Sequence, residues 1–220
     1  MAEQQNGNTN QLDILKKLAA IGSDLWGSPD DTDGHDEPAD AEKKTAFQPA
    51  PRRKENGISS LWKTADETVD WTDALAHDIP RDGLTGRRLW SFYHKMAEKV
   101  LAGDLEAYTE VLKTSNPLGE LTEYAEGINI RAPSSDRLES SFICRDELMN
   151  ENRKLYLAGM GLRIARDLLA CLPVNEVKVT AVQDGKTVFS AAYPRQQLLH
   201  RNFAFIDPVK FAEECGAEFA

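Results

Sequence analysis

An acid and a lysine stand two residues apart in the stretch "EVKVTAV", as Glu176 and Lys178. Residues i and i+2 of a β-strand project from the same face, so both side chains would point to one side of a sheet. Metal-dependent nucleases of the restriction type use such a pair, with an acid from a neighbouring strand, to hold a divalent ion and a water molecule. Asp136 is the candidate for that third group, although it falls in a predicted turn. The simpler interpretation is a Glu/Lys pair on a solvated strand.

Two further sets of residues could do chemistry. Arg163, Arg166 and Asp167 could hold an anionic ligand, but an ion pair between Arg163 and Asp167, four residues apart on a helix, is the simpler interpretation. Cys171 could pair with His200 as a thiol and an imidazole. Because Cys171 ends an apolar helix, we expect a buried and unreactive thiol instead.

Other catalytic and cofactor motifs are missing from the sequence. It contains neither a P-loop nor a dinucleotide-binding glycine pattern, and no pair of histidines has metal-ligand spacing. The three cysteines, Cys144, Cys171 and Cys215, are separated by 27 and 44 residues, which fits no zinc or redox pattern. We therefore expect reduced thiols in a cytoplasmic protein and predict no cofactor.

The negative charge is concentrated at the N-terminus. Residues 1–50 hold 10 Asp or Glu against 4 Lys or Arg, whereas the whole chain of 220 residues has a net charge of −10. A weakly acidic body argues against a nucleic-acid partner, which would need clustered basic residues. The polar start "MAEQQNGNTN" lacks the features of a signal peptide, and no apolar run approaches the length of about 20 residues that spans a membrane.

Residues 1–67 are predicted to form a disordered acidic tail that carries a short amphipathic helix at about 11–26. Helical spacing puts the apolar residues of this segment on one face, which would be available to a partner: Leu12, Leu15, Leu18, Leu25 and Trp26. Residues 27–57 are rich in Pro, Gly and acid, which is typical of a linker. The stretch "GISSLWKTADE" (57–67) echoes "IGSDLWGSPDD" (21–31), so Leu61 and Trp62 are predicted as further partner anchors, or as residues that fold back onto the domain.

Residues 68–220 are predicted to form one α+β domain. Two helices, the second capped by Asp104, precede a β-hairpin around "PSSD". A wide apolar arc predicts a buried central helix from about Asp146 to Leu172. Gly159 and Gly161 in that helix indicate close packing against another element. A second hairpin follows around Asp184-Gly185, then two short helices, the last capped by Asp207. This order predicts an antiparallel sheet packed on the central helix, with the other helices flanking it.

Three stretches carry a resemblance to a known group: "VLAGDLEAYTEVLKTSNPLGEL", "GLRIARDLLACLPVNEVKVTAV" and "NFAFIDPV". Roughly residues 90–215 resemble the C-terminal module of uncharacterised bacterial multi-domain proteins, in which a small N-terminal domain and a long polar linker precede the module. The resemblance implies a fold and no activity. The chain departs from the pattern in its tail-like N-terminus and its tight last hairpin.

The sequence therefore predicts a non-enzymatic protein-interaction module. Its tethered N-terminal helix would lay an apolar face in the groove of a protein partner of unknown identity. No nucleic acid and no membrane span are expected. The N-terminal helix could instead pack on its own domain or on a second copy, as an autoinhibitory or dimerising element, so self-association is left open. The alternative is the divalent-metal nuclease that would use Glu176, Lys178 and Asp136.

Overall fold

The structure is a computed structural model that describes residues 57–80, 85–199 and 201–220. Its helices are α1 (Trp71–Ala76), α2 (Arg87–Leu101), α3 (Leu105–Ser115), α4 (Asp146–Cys171), α5 (Arg195–Leu198) and α6 (Pro208–Glu214), with a 3-10 helix at Gly119–Glu123. Its strands are β1 (Ala125–Ser134), β2 (Arg137–Cys144), β3 (Glu176–Gln183), β4 (Lys186–Pro194) and β5 (Glu218–Phe219). The fold is the predicted mixture of helices and a sheet.

The five strands form one sheet in the order β1-β2-β3-β4-β5. Both predicted hairpins are confirmed: β1 pairs antiparallel with β2, and β3 with β4 around Asp184-Gly185, where both residues have positive φ. The hairpins meet in a parallel pair, with Arg137 opposite Glu176 and Ile143 opposite Val182. The sheet is thus only mostly antiparallel, because α4 carries the chain from the end of β2 back to the start of β3.

Helix α4 is the central buried element that its apolar arc predicted. Between Tyr156 and Cys171 its residues are buried except Arg166, so neighbours enclose the helix. The first turns are set off by Asn152, whose backbone is extended and whose Oδ1 accepts a hydrogen bond from the Leu155 N–H at 3.2 Å. Asn152 therefore caps the long buried part of the helix.

Both glycines of α4 lie where a neighbour approaches closely, as predicted. A Cβ at Gly161 would lie 2.8 Å from a ring carbon of Phe189 and from the hydroxyl oxygen of Tyr193, both on β4. A Cβ at Gly159 would lie 3.1 Å from the ring of Trp62. Because glycine has no side chain, β4 and the segment around Trp62 can each pack closely against α4.

Aspartates begin several helices. The carboxylates of Asp70, Asp104 and Asp207 accept hydrogen bonds from main-chain N–H groups in the first turns of α1, α3 and α6. Asp104 and Asp207 were predicted in this role, and Pro208 takes the first helical position of α6. These caps explain where α3 and α6 begin.

The structure differs from the prediction at the N-terminal boundary. The expected tail and its helix at 11–26 lie largely outside the described residues, but residues 57–67 are described and belong to the fold. Ile58, Leu61 and Trp62 are buried in the core. The domain therefore includes Gly57 rather than starting at residue 68, because these apolar side chains belong to the same buried core as α4. In the described part of the chain, no helix is long and apolar enough to cross a membrane.

Candidate functional site

Residues 57–69, here called the strap, run along helix α4. Trp62 lies against Gly159, the Asp66 N–H donates to Asp167 Oδ1 at 2.8 Å, and the Val69 N–H donates to the Ala170 carbonyl at 2.9 Å. The contacts occur in the same order along both segments, so the strap runs parallel to the helix. The strap is thus held along most of the buried length of α4.

The strap is anchored by its Leu-Trp pair. Leu61 and Trp62 are each 6 % exposed, and the Trp62 indole N–H donates to the Ile206 carbonyl at 3.1 Å. A buried tryptophan removes a large apolar area from water and still needs a partner for its N–H, which Ile206 supplies. The first described turn of the chain is therefore fixed both to α4 and to the loop before α6.

Three charged residues of α4, here called the clamp, hold the strap beyond Trp62: Arg163, Arg166 and Asp167. Arg163 Nε lies 2.6 Å from Asp167 Oδ2, which confirms the ion pair predicted from their spacing. Arg163 Nη1 also donates to the Thr64 hydroxyl oxygen at 2.6 Å. The carboxylate of Asp167 thus binds Arg163 with one oxygen and the strap main chain with the other.

Arg166 joins three elements. Its guanidinium donates to the carbonyl oxygens of Trp62 and Thr64, the second at 3.2 Å. The same group stacks on the ring of Phe203, with 3.9 Å between the guanidinium carbon and the ring centroid. This arrangement uses the flat guanidinium both as a donor and as a stacking surface. Arg166 therefore connects the strap, α4 and the loop that contains Phe203.

Burial dominates the electrostatics of the clamp. Arg163 and Asp167 are 4 % and 0 % exposed. Desolvation raises the pKa of the Asp167 carboxyl, while Arg163 lowers it, and the net direction is upward. Burial lowers the pKa of Arg166 to about 10, which leaves it charged at neutral pH. Buried charged groups are costly to leave unpaired. The stability of the core therefore depends on the contact between the clamp and the strap.

The structure separates the predicted partner-binding residues into two sets. Leu12, Leu15, Leu18, Leu25 and Trp26 lie outside the described residues. Leu61 and Trp62 are core residues in this structure and follow the second interpretation, in which they fold back onto the domain. The local sequence could not decide between these interpretations, because the groove that receives them is built from residues about 100 positions later in the chain.

The predicted catalytic residues lie on the outward side of the sheet, the side opposite α4. Glu176 and Lys178 share this side, as their spacing predicted, and half-exposed positions on β3 alternate with buried ones. Glu176 Oε1 lies 3.4 Å from Arg137 Nε, and Glu139 is paired with Arg131 and Arg137. These arginines and carboxylates form a surface network in which the acidic charges are matched.

Asp136 does not join Glu176 through its carboxylate. Its Oδ1 accepts from the Asn175 side-chain amide at 3.0 Å, and its carbonyl oxygen accepts from the main-chain N–H groups of Asn175 and Glu176. Asp136 thus connects the first hairpin turn to the start of β3. Within the described residues, no group of three or more His, Cys, Asp or Glu side chains is arranged to hold a metal ion.

Sequence reasoning missed Glu139, which lies opposite Lys178 on the neighbouring strand. Its place on the outward side follows from the alternation in "RLESSFIC", but its partner strand does not.

The three thiols were predicted more closely: Cys144 and Cys171 are buried, Cys215 is half-buried and none forms a disulfide. Burial raises the pKa of the Cys171 thiol to about 12 and that of Cys144 to about 11. His200, the proposed partner of Cys171, lies outside the described residues.

Comparison with family models, with curated proteins and with solved structures found no match to this chain. The resemblance of roughly residues 90–215 to a module of bacterial multi-domain proteins therefore stays a prediction from the quoted motifs.

Proposed function

We propose that this chain is a protein-binding module, in which the α+β domain presents an N-terminal segment that binds a protein partner. The binding element is the stretch at 11–26, whose apolar side chains at helical spacing would enter a groove on that partner. The free thiols of Cys144, Cys171 and Cys215 support a cytoplasmic location, where such cysteines stay reduced.

The observation that carries this proposal is the attachment of the strap to α4. Trp62 packs against Gly159 of α4, and Arg166 donates hydrogen bonds to two strap carbonyls. These contacts hold the chain where it enters the domain. A segment N-terminal to such an anchor is tethered at one defined point of the surface. A linker of about 30 residues would give it a reach on the order of 30 Å, so that it could search for a partner near the domain.

The proposal is tested with two double variants of the full chain. Leu15→Ala with Leu18→Ala removes apolar area from the binding face, whereas Asp13→Ala with Lys17→Ala changes the opposite face by the same number of residues. Affinity capture from an extract of the source cells, followed by quantitative mass spectrometry, compares both with the unmodified chain. We expect a set of proteins to be retained by the unmodified chain and by the polar-face variant, and to be lost from the apolar-face variant.

Equal retention by the two variants would contradict a groove-binding helix, because the apolar side chains would then contribute nothing to recognition. Circular dichroism of both variants is the control for the domain. All the substitutions lie outside residues 57–220, so an altered melting temperature would show that the lost binding comes from the fold instead.

One observation favours the second candidate, a divalent-metal nuclease. Glu139 lies opposite Lys178 on the neighbouring strand, so two carboxylates and a lysine share the outward side of the sheet. A metal ion there would have to compete with Arg131 and Arg137 for the same oxygens. Incubation with DNA or RNA and Mg²⁺ or Mn²⁺ tests this candidate. Cleavage that is lost in Glu176→Ala would favour the nuclease, and uncut substrate at micromolar protein would reject it.

A further inference from the structure

The strap has a second version of itself earlier in the chain. When "SDLWGSPDD" is placed over "SSLWKTADE", the same or similar side chains recur at six positions: Ser23 and Ser59, Leu25 and Leu61, Trp26 and Trp62, Ser28 and Thr64, Asp30 and Asp66, Asp31 and Glu67. The structure now shows what four of these positions do in the strap.

The matched positions are the ones that bind α4. Leu61 and Trp62 are the buried anchors, and the Trp62 ring fills the slot at Gly159. The Thr64 hydroxyl oxygen accepts from Arg163, an interaction that the Ser28 hydroxyl can also make. The main-chain N–H of Asp66 donates to Asp167, and Asp30, at the matching position, has a main-chain N–H that can donate in the same way.

The unmatched positions predict a weaker ligand. Ile58 is buried in the strap, but glycine stands at the corresponding position of the earlier stretch. Pro29 stands at the position of Ala65, and proline has no main-chain N–H to donate. The strap itself is also favoured because it is covalently joined to α1, which gives it an effective concentration in the millimolar range. The earlier stretch would therefore enter the groove only when the strap has left it.

We infer that the groove on α4 that holds the strap also binds residues 23–31 of a second copy of this chain. The groove consists of the Gly159 slot, the clamp and the Ile206 carbonyl. This inference extends the proposed function, because it names a partner for Leu25 and Trp26, and it is independent of Leu12, Leu15 and Leu18. Exchange of such segments between copies would couple self-association to release of the strap.

A peptide experiment tests the groove. The acceptor is the full chain with Leu25→Ala, Trp26→Ala and Trp62→Ala, which weakens its own strap and removes the competing stretch. A fluorescent peptide of residues 20–33 should bind saturably and raise the melting temperature of this acceptor, whereas the same peptide with Trp26→Ala should not. The unmodified chain should bind the peptide at least about tenfold more weakly, because its strap occupies the groove.

A peptide of residues 56–69 is the positive control for an accessible groove. If the triple variant does not fold, Leu61→Ala replaces Trp62→Ala as a milder way to loosen the strap. The inference is overturned if the 20–33 peptide raises the melting temperature no more than its Trp26→Ala version, whatever the 56–69 peptide does.

Light scattering over a range of protein concentrations tests the second copy. The chain with Trp62→Ala alone should gain mass as its concentration rises, and the triple variant should stay monomeric. A monomeric Trp62→Ala chain at concentrations that saturate the groove with peptide would overturn the assignment to a second copy. Adding Leu15→Ala and Leu18→Ala to the Trp62→Ala chain separates this result from the proposed function, since that chain should lose the captured proteins and still gain mass with concentration.

Discussion

Helix α4 is approached closely on two sides, but the two sides are held by different chemistry. On the strap side, Gly159 admits Trp62, and the clamp binds the strap through charged groups. On the sheet side, Gly161 admits Phe189 and Tyr193, and the contact is apolar. The hydroxyl of Tyr193 is buried there without a hydrogen-bond partner among the described residues. Helix α4 thus contacts the strap through charged groups and contacts the sheet through close apolar packing.

The two contacts fix the register of their elements along α4 in different ways. A strand in the sheet has its register set by its neighbours, so apolar packing on α4 is sufficient. The strap has no regular ladder, and its register along α4 depends on the hydrogen bonds of Arg163, Arg166 and Asp167. A buried ion pair adds little net stability compared with apolar packing, but it is costly to break and can fix one arrangement.

The largest effect is expected on the strap side, from Asp167→Ala. The change leaves the buried Arg163 with the exposed Glu120, at 3.5 Å, as its remaining carboxylate partner, and it removes the acceptor of the Asp66 N–H. We expect the free energy of unfolding to fall by about 3–5 kcal/mol, measured by urea denaturation. Glu176→Ala is the matched control, because it breaks a carboxylate–arginine pair at the surface and should cost about 1 kcal/mol or less. Similar losses in the two variants would contradict the distinction between buried clamp and surface network.

The next effect is expected on the sheet side, from Gly161→Ala. Alanine favours a helix by about 1 kcal/mol over glycine, but its Cβ would lie 2.8 Å from Phe189 and Tyr193, whose rings are enclosed. We expect a net loss of about 1–3 kcal/mol in the free energy of unfolding. A gain in stability, seen as a higher urea midpoint, would show that the two aromatic rings can move aside.

Gly159→Ala makes the same change on the strap side of α4, so its effect can be compared directly with that of Gly161→Ala. Its Cβ would lie 3.1 Å from the Trp62 ring, a contact that a shift of a few tenths of an ångström would relieve. We expect a change within about 1 kcal/mol, smaller than that of Gly161→Ala. In a Trp62→Ala background the same substitution should become stabilising, since the slot is then empty. A double-mutant cycle of thermal unfolding measures the difference, and additive effects would contradict the slot.

The smallest effect is expected from Tyr193→Phe. The hydroxyl is fully buried and has no hydrogen-bond partner in the described part of the chain, so its removal takes away a polar group without breaking a hydrogen bond. We expect stability to stay equal or to rise by about 1 kcal/mol, measured in the same denaturation series. A loss of more than that amount would indicate that the hydroxyl has a partner, such as a buried water molecule.

The elements that could be predicted are those with a local cause. The apolar arc of α4, the Asp184-Gly185 turn and the caps at Asp104 and Asp207 act within a few residues, and each was found where the sequence placed it. The parallel pairing of β2 with β3 and the short strand β5 could not be predicted, because both depend on distant parts of the chain.

The strap shows the same limit at the candidate site. Leu61 and Trp62 stand among polar residues, so their immediate surroundings predicted a tail. The glycine at 159 and the arginines at 163 and 166 were noticed separately, but no local pattern connects them to a segment about 100 residues earlier. Glu139 was missed for a similar reason, since only the strand pairing places it opposite Lys178.

Site-specific photo-crosslinking tests whether the stretch at 11–26 contacts a protein partner through its apolar face. A photoreactive phenylalanine analogue is placed at Leu15 or at Asp13 of the full chain, positions that would lie on opposite faces of a helix of 3.6 residues per turn. We expect position 15 to crosslink to another polypeptide in cells and position 13 to remain uncrosslinked. Equal crosslinking from the two positions, or none from position 15, would contradict this contact.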